Sequence, residues 1–307
     1  MATIALTGGT GLLGNVLVPM LLKEGHSLRI LARRRTDREL PPMTGVTWIE
    51  GALDEIEPID RLVQDTDCIV HAAYLGLDDA VAPNRSPAEH WVQTNFVGTM
   101  RLIERTGGTR GRQLIYLSSL AVFGKDPNND PVGDRFARNE EFPLWPRDFY
   151  GGIRSATEKM VITASHELGL NTSAFRLGCV MGLREPWTTS PLYTAVDEAV
   201  RFGEIRSQIG TYSISVEDSA RILCAAIGDA SLRGSVFNTF DQWFDHANVA
   251  PWVAEMLGTP VTIACKPAHE PRSPILGDRI HDYYDRFETE RHLRELTSAL
   301  VERCRAR

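Results

Sequence analysis

Thr7-Gly8-Gly9-Thr10-Gly11-Leu12-Leu13-Gly14 follows an apolar, β-rich run at residues 2–6 and precedes a stretch where Leu12, Leu13, Val16, Leu17, Met20 and Leu21 recur at helical spacing. A strand, a glycine turn and a helix, in that order, decide the reading of the fold. Three glycines at positions 8, 11 and 14 let a chain turn tightly and let its backbone come close to a neighbour. The first turn of the helix then offers N–H groups with no partner inside the helix.

The same alternation continues outward from this loop. Strands are expected at 27–32, 46–50, 68–72, 113–117 and 172–176, separated by helical stretches near 58–65, 89–106 and 150–168. Strand and helix in alternation predict an α/β fold, a Rossmann-type doubly wound parallel sheet. Residues 183–215 read as loops with short helices; 216–228 and 246–257 read as helices, and 235–239 and 260–264 as strands. The expected organisation is a dinucleotide-binding domain at 1–175, its core continuing into 210–240, and a smaller mixed region at 176–307 that mainly binds substrate.

Composition narrows the function. The 307 residues are 43% hydrophobic and 24% charged, which excludes a disordered chain and a coiled coil. The net charge of -7 argues against a nucleic-acid partner. No apolar run reaches the length of a membrane span, and the start lacks the basic and apolar segments of a signal peptide. Five scattered cysteines without a CxxC pair fit a reducing cytoplasm and no metal site.

The glycine loop predicts binding of a dinucleotide pyrophosphate by Thr7, Gly8, Gly11, Leu12, Leu13 and Gly14, at the positive end of the first helix. The second strand ends in Ala32-Arg33-Arg34-Arg35, and no carboxylate follows until Asp37. Arginine forks suit a 2′-phosphate, whereas a ribose 2′-hydroxyl calls for a carboxylate. Arg33 and Arg34 therefore predict NADP as cofactor, with NAD the alternative; a solvated basic loop is the plainer reading of the same residues.

Further segments stand out: Leu114-Ile115-Tyr116-Leu117-Ser118-Ser119-Leu120-Ala121-Val122-Phe123-Gly124 and Tyr150-Gly151-Gly152-Ile153-Arg154-Ser155-Ala156-Thr157-Glu158. With the glycine loop, Val70-His71-Ala72-Ala73, Asn95-Phe96-Val97-Gly98-Thr99 and Val216-Glu217-Asp218, they resemble the extended short-chain dehydrogenase/reductase family, the epimerase/dehydratase-like group. The resemblance runs from residue 2 to about 240. It implies that Tyr150 gives or takes the proton, that Ser119 holds the substrate oxygen, and that Asn95 supports a relay water or a bend in its helix. It also implies that Ala72, Ala73, Tyr150 and residue 154 lie at the cofactor.

Position 154 departs from that pattern. The family carries a lysine four residues after the tyrosine, where it shares a helix face with it. A tyrosine titrates near 10, so acid–base work at neutral pH calls for a nearby cation. Arg154 keeps the charge in a longer, planar shape. Three readings stay open: catalysis intact, chemistry needing less tyrosinate, or a cofactor-binding sensor without turnover. An ion pair with Glu158 on the helix surface is a further, non-catalytic role for Arg154.

After the sixth strand, Arg176-Leu177-Gly178-Cys179-Val180-Met181-Gly182 puts Cys179 where nucleotide-sugar members resemble one another in carrying Asn. Arg176 could pair with a substrate carboxylate or be structural. Trp187 and Tyr193 are further candidate substrate contacts. The resemblance also implies a homodimer through the helices at 90–106 and 150–168. The expected function is an NADP-dependent reductase or dehydrogenase of a carbonyl or secondary alcohol on a small polar or aromatic molecule. An epimerase or dehydratase using transient oxidation, or a non-catalytic sensor, are the alternatives.

Overall fold

The computed structural model describes residues 1–33, 43–76, 86–109, 111–124, 137–271 and 273–307. They form two compact units. The first comprises Met1–Lys125, Pro143–Arg176 and Ala220–Phe237; the second comprises Asp126–Phe142, of which 137–142 are described, Leu177–Ser219 and Asn238–Arg307. Residues 210–219, expected with the first unit, group with the second.

The first unit holds a seven-stranded sheet. In chain order its strands are β1 Thr3–Thr7, β2 Ser27–Ala32, β3 Val46–Glu50, β4 Cys68–His71, β5 Gln113–Ser119, β6 Asn171–Leu177 and an edge strand at Ser235–Thr239. The spatial order runs β3-β2-β1-β4-β5-β6 and then the edge strand, and the pairings from β3 through β5 are parallel. The expected Rossmann-type α/β fold is what is observed. The order reverses between β1 and β4, and sheets of this kind bind ligands at the carboxyl ends of the strands beside such a reversal.

Helices flank the sheet because each carries one apolar stripe. Ile59, Leu62 and Val63 of α2 (Ile56–Val63) pack with Leu102 and Ile103 of α4 (Gly98–Thr106) and Val161 and Ala164 of α5 (Phe149–Glu167). These residues cover Ala5, Ile69, Leu114, Tyr116 and Ala174 of the sheet. The run expected at 89–106 is three pieces: α3 (Pro87–Val92), a wide turn at Gln93–Val97 with π-type hydrogen bonding, and α4. Ser86 caps α3 by accepting from the Glu89 N–H. Asp148 does the same for α5, accepting from the Gly151 N–H at 2.7 Å.

The second unit adds strands to the loops and short helices expected at 183–215. It contains β7 Cys179–Met181, α6 Tyr193–Phe202, β8 Glu204–Ile205 and β9 Gly210–Ser215. A helix unread in the sequence, Thr289–Arg305, buries Leu293, Leu296, Leu300, Val301 and Cys304 against Val196 and Ala199 of α6 and their neighbours. No described helix is long and apolar enough to cross a membrane.

Candidate active site

The glycine loop leaves the end of β1 and hugs the end of β4. Gly8 has φ +79°, and a Cβ there would lie 2.8 Å from the Ala72 carbonyl carbon and the Ala73 nitrogen. A Cβ on Gly14 would lie 2.4 Å from the Gly9 backbone, so helix α1 (Leu12–Lys23) can pack this close only without a side chain. Gly11 is the N-cap of α1 and supplies no side-chain acceptor, and the first turn carries no acidic residue. The leading N–H groups of Leu12, Leu13 and Gly14 thus face no capping side chain. The loop thus lies against Ala72 and Ala73.

Thr7 does something different from touching a ligand. It is fully buried, and its Oγ1 accepts the Ala73 N–H at 3.1 Å while bonding His71 Nδ1 at 2.7 Å. His71 Nε2 meets Thr99 Oγ1 at 2.8 Å, and that hydroxyl donates to the Asn95 carbonyl at 2.6 Å. With a neutral ring the directions close in one way. Thr99 spends its proton on Asn95, so it accepts from Nε2–H, and Nδ1 accepts from Thr7. A neutral His71 completes the chain. Burial, with the Arg154 charge adding to it, pushes its pKa down to about 3, which matches the neutral ring.

Asn95 sits in the wide turn at Gln93–Val97, between α3 and α4. Its amide clamps Leu75 from both sides, accepting from the Leu75 N–H at 2.8 Å and donating to the Leu75 carbonyl at 2.9 Å. The residue therefore fixes the segment that follows β4.

Ser119 closes β5, and its Oγ accepts from the Ala121 N–H at 3.2 Å as the cap of a short 3₁₀ turn, Leu120–Phe123. Tyr150 lies in the first turn of α5, half-buried. The next residue, Gly151, lies so close to that turn that a Cβ would be 2.5 Å from the Ala121 carbonyl. Glycine at 151 is what lets the Tyr150 helix approach the end of β5.

Arg154, one turn on, points inward and is 8% exposed. Its Nη1 donates to the Leu117 carbonyl at 2.7 Å and, at 3.4 Å, to the Tyr116 hydroxyl. The guanidinium lies over three tyrosine rings, 4.1 Å from the Tyr74 centroid, 5.3 Å from Tyr150 and 5.9 Å from Tyr116. It does not form the surface pair with Glu158. Glu158 is fully buried and bonds Ser118 and Arg176 instead. Burial drives the Tyr74 and Tyr116 hydroxyls well above the usual tyrosine range, with the Arg154 charge opposing it, so both rings stay neutral around the cation.

The remaining candidates divide. Arg176, considered as a substrate contact, is 1% exposed and its guanidinium is engaged by Glu158, so the ion pair occupies the fork that a substrate carboxylate would need. Cys179 lies in β7, paired with Ser213 of β9. Trp187 and Tyr193 meet edge-on with centroids 5.3 Å apart, in the second unit. Arg33 is exposed at the end of β2; Arg34, with Arg35 and Asp37, lies outside the described residues. Among the described residues no three His, Cys, Asp or Glu side chains gather to hold a metal ion. Sequence reasoning missed the roles of His71, Tyr74, Tyr116 and Glu158. Their one signal was polarity inside otherwise apolar strands and helix faces.

Three comparisons bear on this arrangement. The model of the NAD dependent epimerase/dehydratase family matches residues 4–204. The chain is 25% identical to a 3-beta-hydroxysteroid dehydrogenase of Mycolicibacterium neoaurum over 71% of this chain and 57% of that one. It is 30% identical to a dTDP-6-deoxy-L-talose 4-dehydrogenase (NAD(P)(+)) of Kitasatospora kifunensis over 60% and 54% of the two chains. The chain spans about half the length of the curated relatives it matches first, between 44% and 57%. In fold it is similar to the Thermus thermophilus UDP-glucose 4-epimerase solved with NAD, with a TM-score of 0.72, 20% identity and 99% of each chain covered. The family match takes in the glycine loop, the end of β5 and the whole of α5, and this chain belongs to the NAD dependent epimerase/dehydratase family.

Proposed function

We propose that this protein is an NADP-dependent reductase or dehydrogenase that interconverts a carbonyl and a secondary alcohol on a small polar or aromatic molecule. The observation that carries the reading is the buried Arg154, held by the Leu117 carbonyl of β5 beside the Tyr150 ring, on the strand that Ser119 closes. The glycine loop fits a dinucleotide. Its close approach to Ala72 and Ala73 leaves no room for a Cβ at Gly8, and its helix N-terminus has neither a capping side chain nor an acid.

Gly8, Gly11, Leu12, Leu13 and Gly14 would hold the pyrophosphate, with Thr7, expected among them, supporting the loop from beneath through Ala73 and with Ala72 and Ala73 forming the facing wall. Arg33, with Arg34, would pair with a 2′-phosphate. When bound, the nicotinamide supplies or accepts a hydride. The chain's own groups handle the oxygen. In reduction, the Tyr150 hydroxyl gives its proton to the oxygen that has gained negative charge; in oxidation, Tyr150 takes that proton from the alcohol. Ser119 donates a hydrogen bond to the same oxygen and holds it in line. Arg154 supplies a fixed positive charge beside the Tyr150 ring, desolvated and therefore poorly screened. Trp187, Tyr193 and Cys179 remain proposed substrate contacts, and a homodimer remains the proposed assembly. On the two helical stretches that would form that interface, Trp91 and Leu102 belong to the chain's own core, whereas Met160 is 37% exposed.

The assay is loss of NADPH absorbance against a panel of aldehydes, ketones and sugar lactones, with NADP reduction on the matching alcohols. Turnover that falls by roughly 10²-fold or more in Tyr150→Phe supports the reading. Turnover that survives Tyr150→Phe removes it.

A second reading is favoured by the likeness to an epimerase bound to NAD. The same residues would then serve transient oxidation, with the hydride returned to the substrate and no net consumption of cofactor. A changed product without a change in NADPH absorbance would select it.

A further inference from the structure

Arginine in place of lysine needs a different support. An ammonium is a compact charge that three donors can hold from any side; a guanidinium is a plane, and its position is fixed only if its face is held as well as its edge. Here one edge is held by the Leu117 carbonyl at 2.7 Å. The face is held by Tyr74, whose centroid lies 4.1 Å from the guanidinium carbon, nearer than either of the other two rings.

Tyr74 is itself anchored. The residue after it, Leu75, is gripped through both backbone directions by the Asn95 amide, at 2.8 and 2.9 Å. The residue before it, Ala73, is tied to Thr7 at the foot of the glycine loop. The Tyr74 ring meets Trp91 and Tyr150 edge-on, with centroids 6.2 and 5.0 Å away. Backbone and ring are therefore both restrained.

We propose that Tyr74 is a positioning residue, a platform clamped by Asn95 that fixes the Arg154 guanidinium beside Tyr150. Its kinetic consequence rests on the reading of Tyr150 as the acid–base group; its structural content does not. The ring, rather than the hydroxyl, does this, so phenylalanine should replace tyrosine and an aliphatic residue should not. Asn95 then acts on the reaction through Tyr74.

The test separates the two layers. In ¹⁵N-labelled protein the Arg154 Nε–H resonance is identified by its loss in Arg154→Lys, and its hydrogen exchange is measured. Losing a desolvated cation–π contact should quicken exchange about tenfold or more in Tyr74→Leu, with Tyr74→Phe within about twofold of the parent. Unchanged exchange in Tyr74→Leu, or equal quickening in Tyr74→Phe, overturns the proposal. Should Tyr74→Leu not fold, Tyr74→Met, which keeps length without a ring, carries the same expectation. With any substrate the enzyme turns over, Tyr74→Leu should lower kcat about tenfold while NADPH affinity by cofactor fluorescence stays within about twofold. A lower affinity with unchanged kcat overturns it. If no substrate turns over, the function proposed above has failed and the exchange measurement still decides the role of Tyr74.

Discussion

The Glu158 carboxylate holds Arg176 through both oxygens, at 2.7 and 3.0 Å, where each side chain is 1% exposed. The second oxygen also accepts from Ser118 at 2.7 Å, so one carboxylate joins α5, β5 and β6. Removing either charge leaves the other desolvated and unpaired. Glu158→Gln and Arg176→Met should each lower the unfolding free energy by about 3–5 kcal/mol, read by urea denaturation. The pair Glu158→Leu with Arg176→Met should cost less than the sum of the single changes. Single losses under about 1 kcal/mol would mean that the pair is not what joins these elements.

Arg154→Lys, the change that restores the family pattern, should reduce turnover rather than raise it. A lysine carries no planar face for Tyr74 and loses the fork that reaches Leu117. The expected fall is about tenfold or more, measured as kcat in the NADPH assay. A rise would show that the site still prefers the compact ammonium.

Acid should weaken the fold through His71. Its folded pKa is about 3 and its unfolded value 6.5, so the unfolded chain takes up the proton first. Stability then rises with pH between those two values, and is lost as pH falls, by at most about 1.4 kcal/mol per unit. His246, pushed down to about 4 by burial, acts in the same direction over the upper part of that window. Denaturant midpoints at pH 7 and pH 5 should differ, and His71→Gln should flatten the difference while lowering stability at pH 7. An equally steep dependence in His71→Gln would assign the effect to other groups.

Cofactor choice should turn on Arg33, exposed at the end of β2. Arg33→Ser should weaken NADPH binding about tenfold and leave NADH binding within about twofold, since a charged hydrogen bond contributes about 1.5–3 kcal/mol. Isotherms for both dinucleotides at one salt concentration check this. Equal or NAD-favouring affinity in the parent protein removes the NADP preference.

The central strands were legible because strands of a parallel sheet, covered on both faces, are continuous apolar runs between glycine and polar turns. β1 to β6 lie within two residues of their expected spans. β8, only two residues long, carries no periodicity of its own and exists through its partner. The C-terminal helix is a different case. Leu293, Leu296, Leu300, Val301 and Cys304 had helical spacing in the sequence and were open to the same reasoning as α1. At the site, Ser119, Tyr150 and Arg154 were found by motif. The partner of Arg154 was not, because i and i+4 spacing pointed to Glu158, and only the fold reveals that Glu158 is taken from across the sheet by Arg176. Tyr74 lies in no motif, and His71 lies in one that assigned it no role; their roles come from strand ends that are neighbours in space and far apart in the chain.

The wide turn at Gln93–Val97 holds a residue more than an α-turn does, and that surplus resets the angular phase of the helix by about 100°. Trp91 is buried ahead of it, Asn95 reaches Leu75 from within it, and Leu102, Ile103 and Thr106 are buried after it. Asn95 apart, this stretch should therefore tolerate changes of side chain better than changes of length. A single-codon deletion that spares Asn95 would leave Ser119, Tyr150 and Arg154 in place, yet it would turn the later apolar stripe away from the sheet. Register in this segment is encoded by counting, and an insertion–deletion scan would see it where a substitution scan would not.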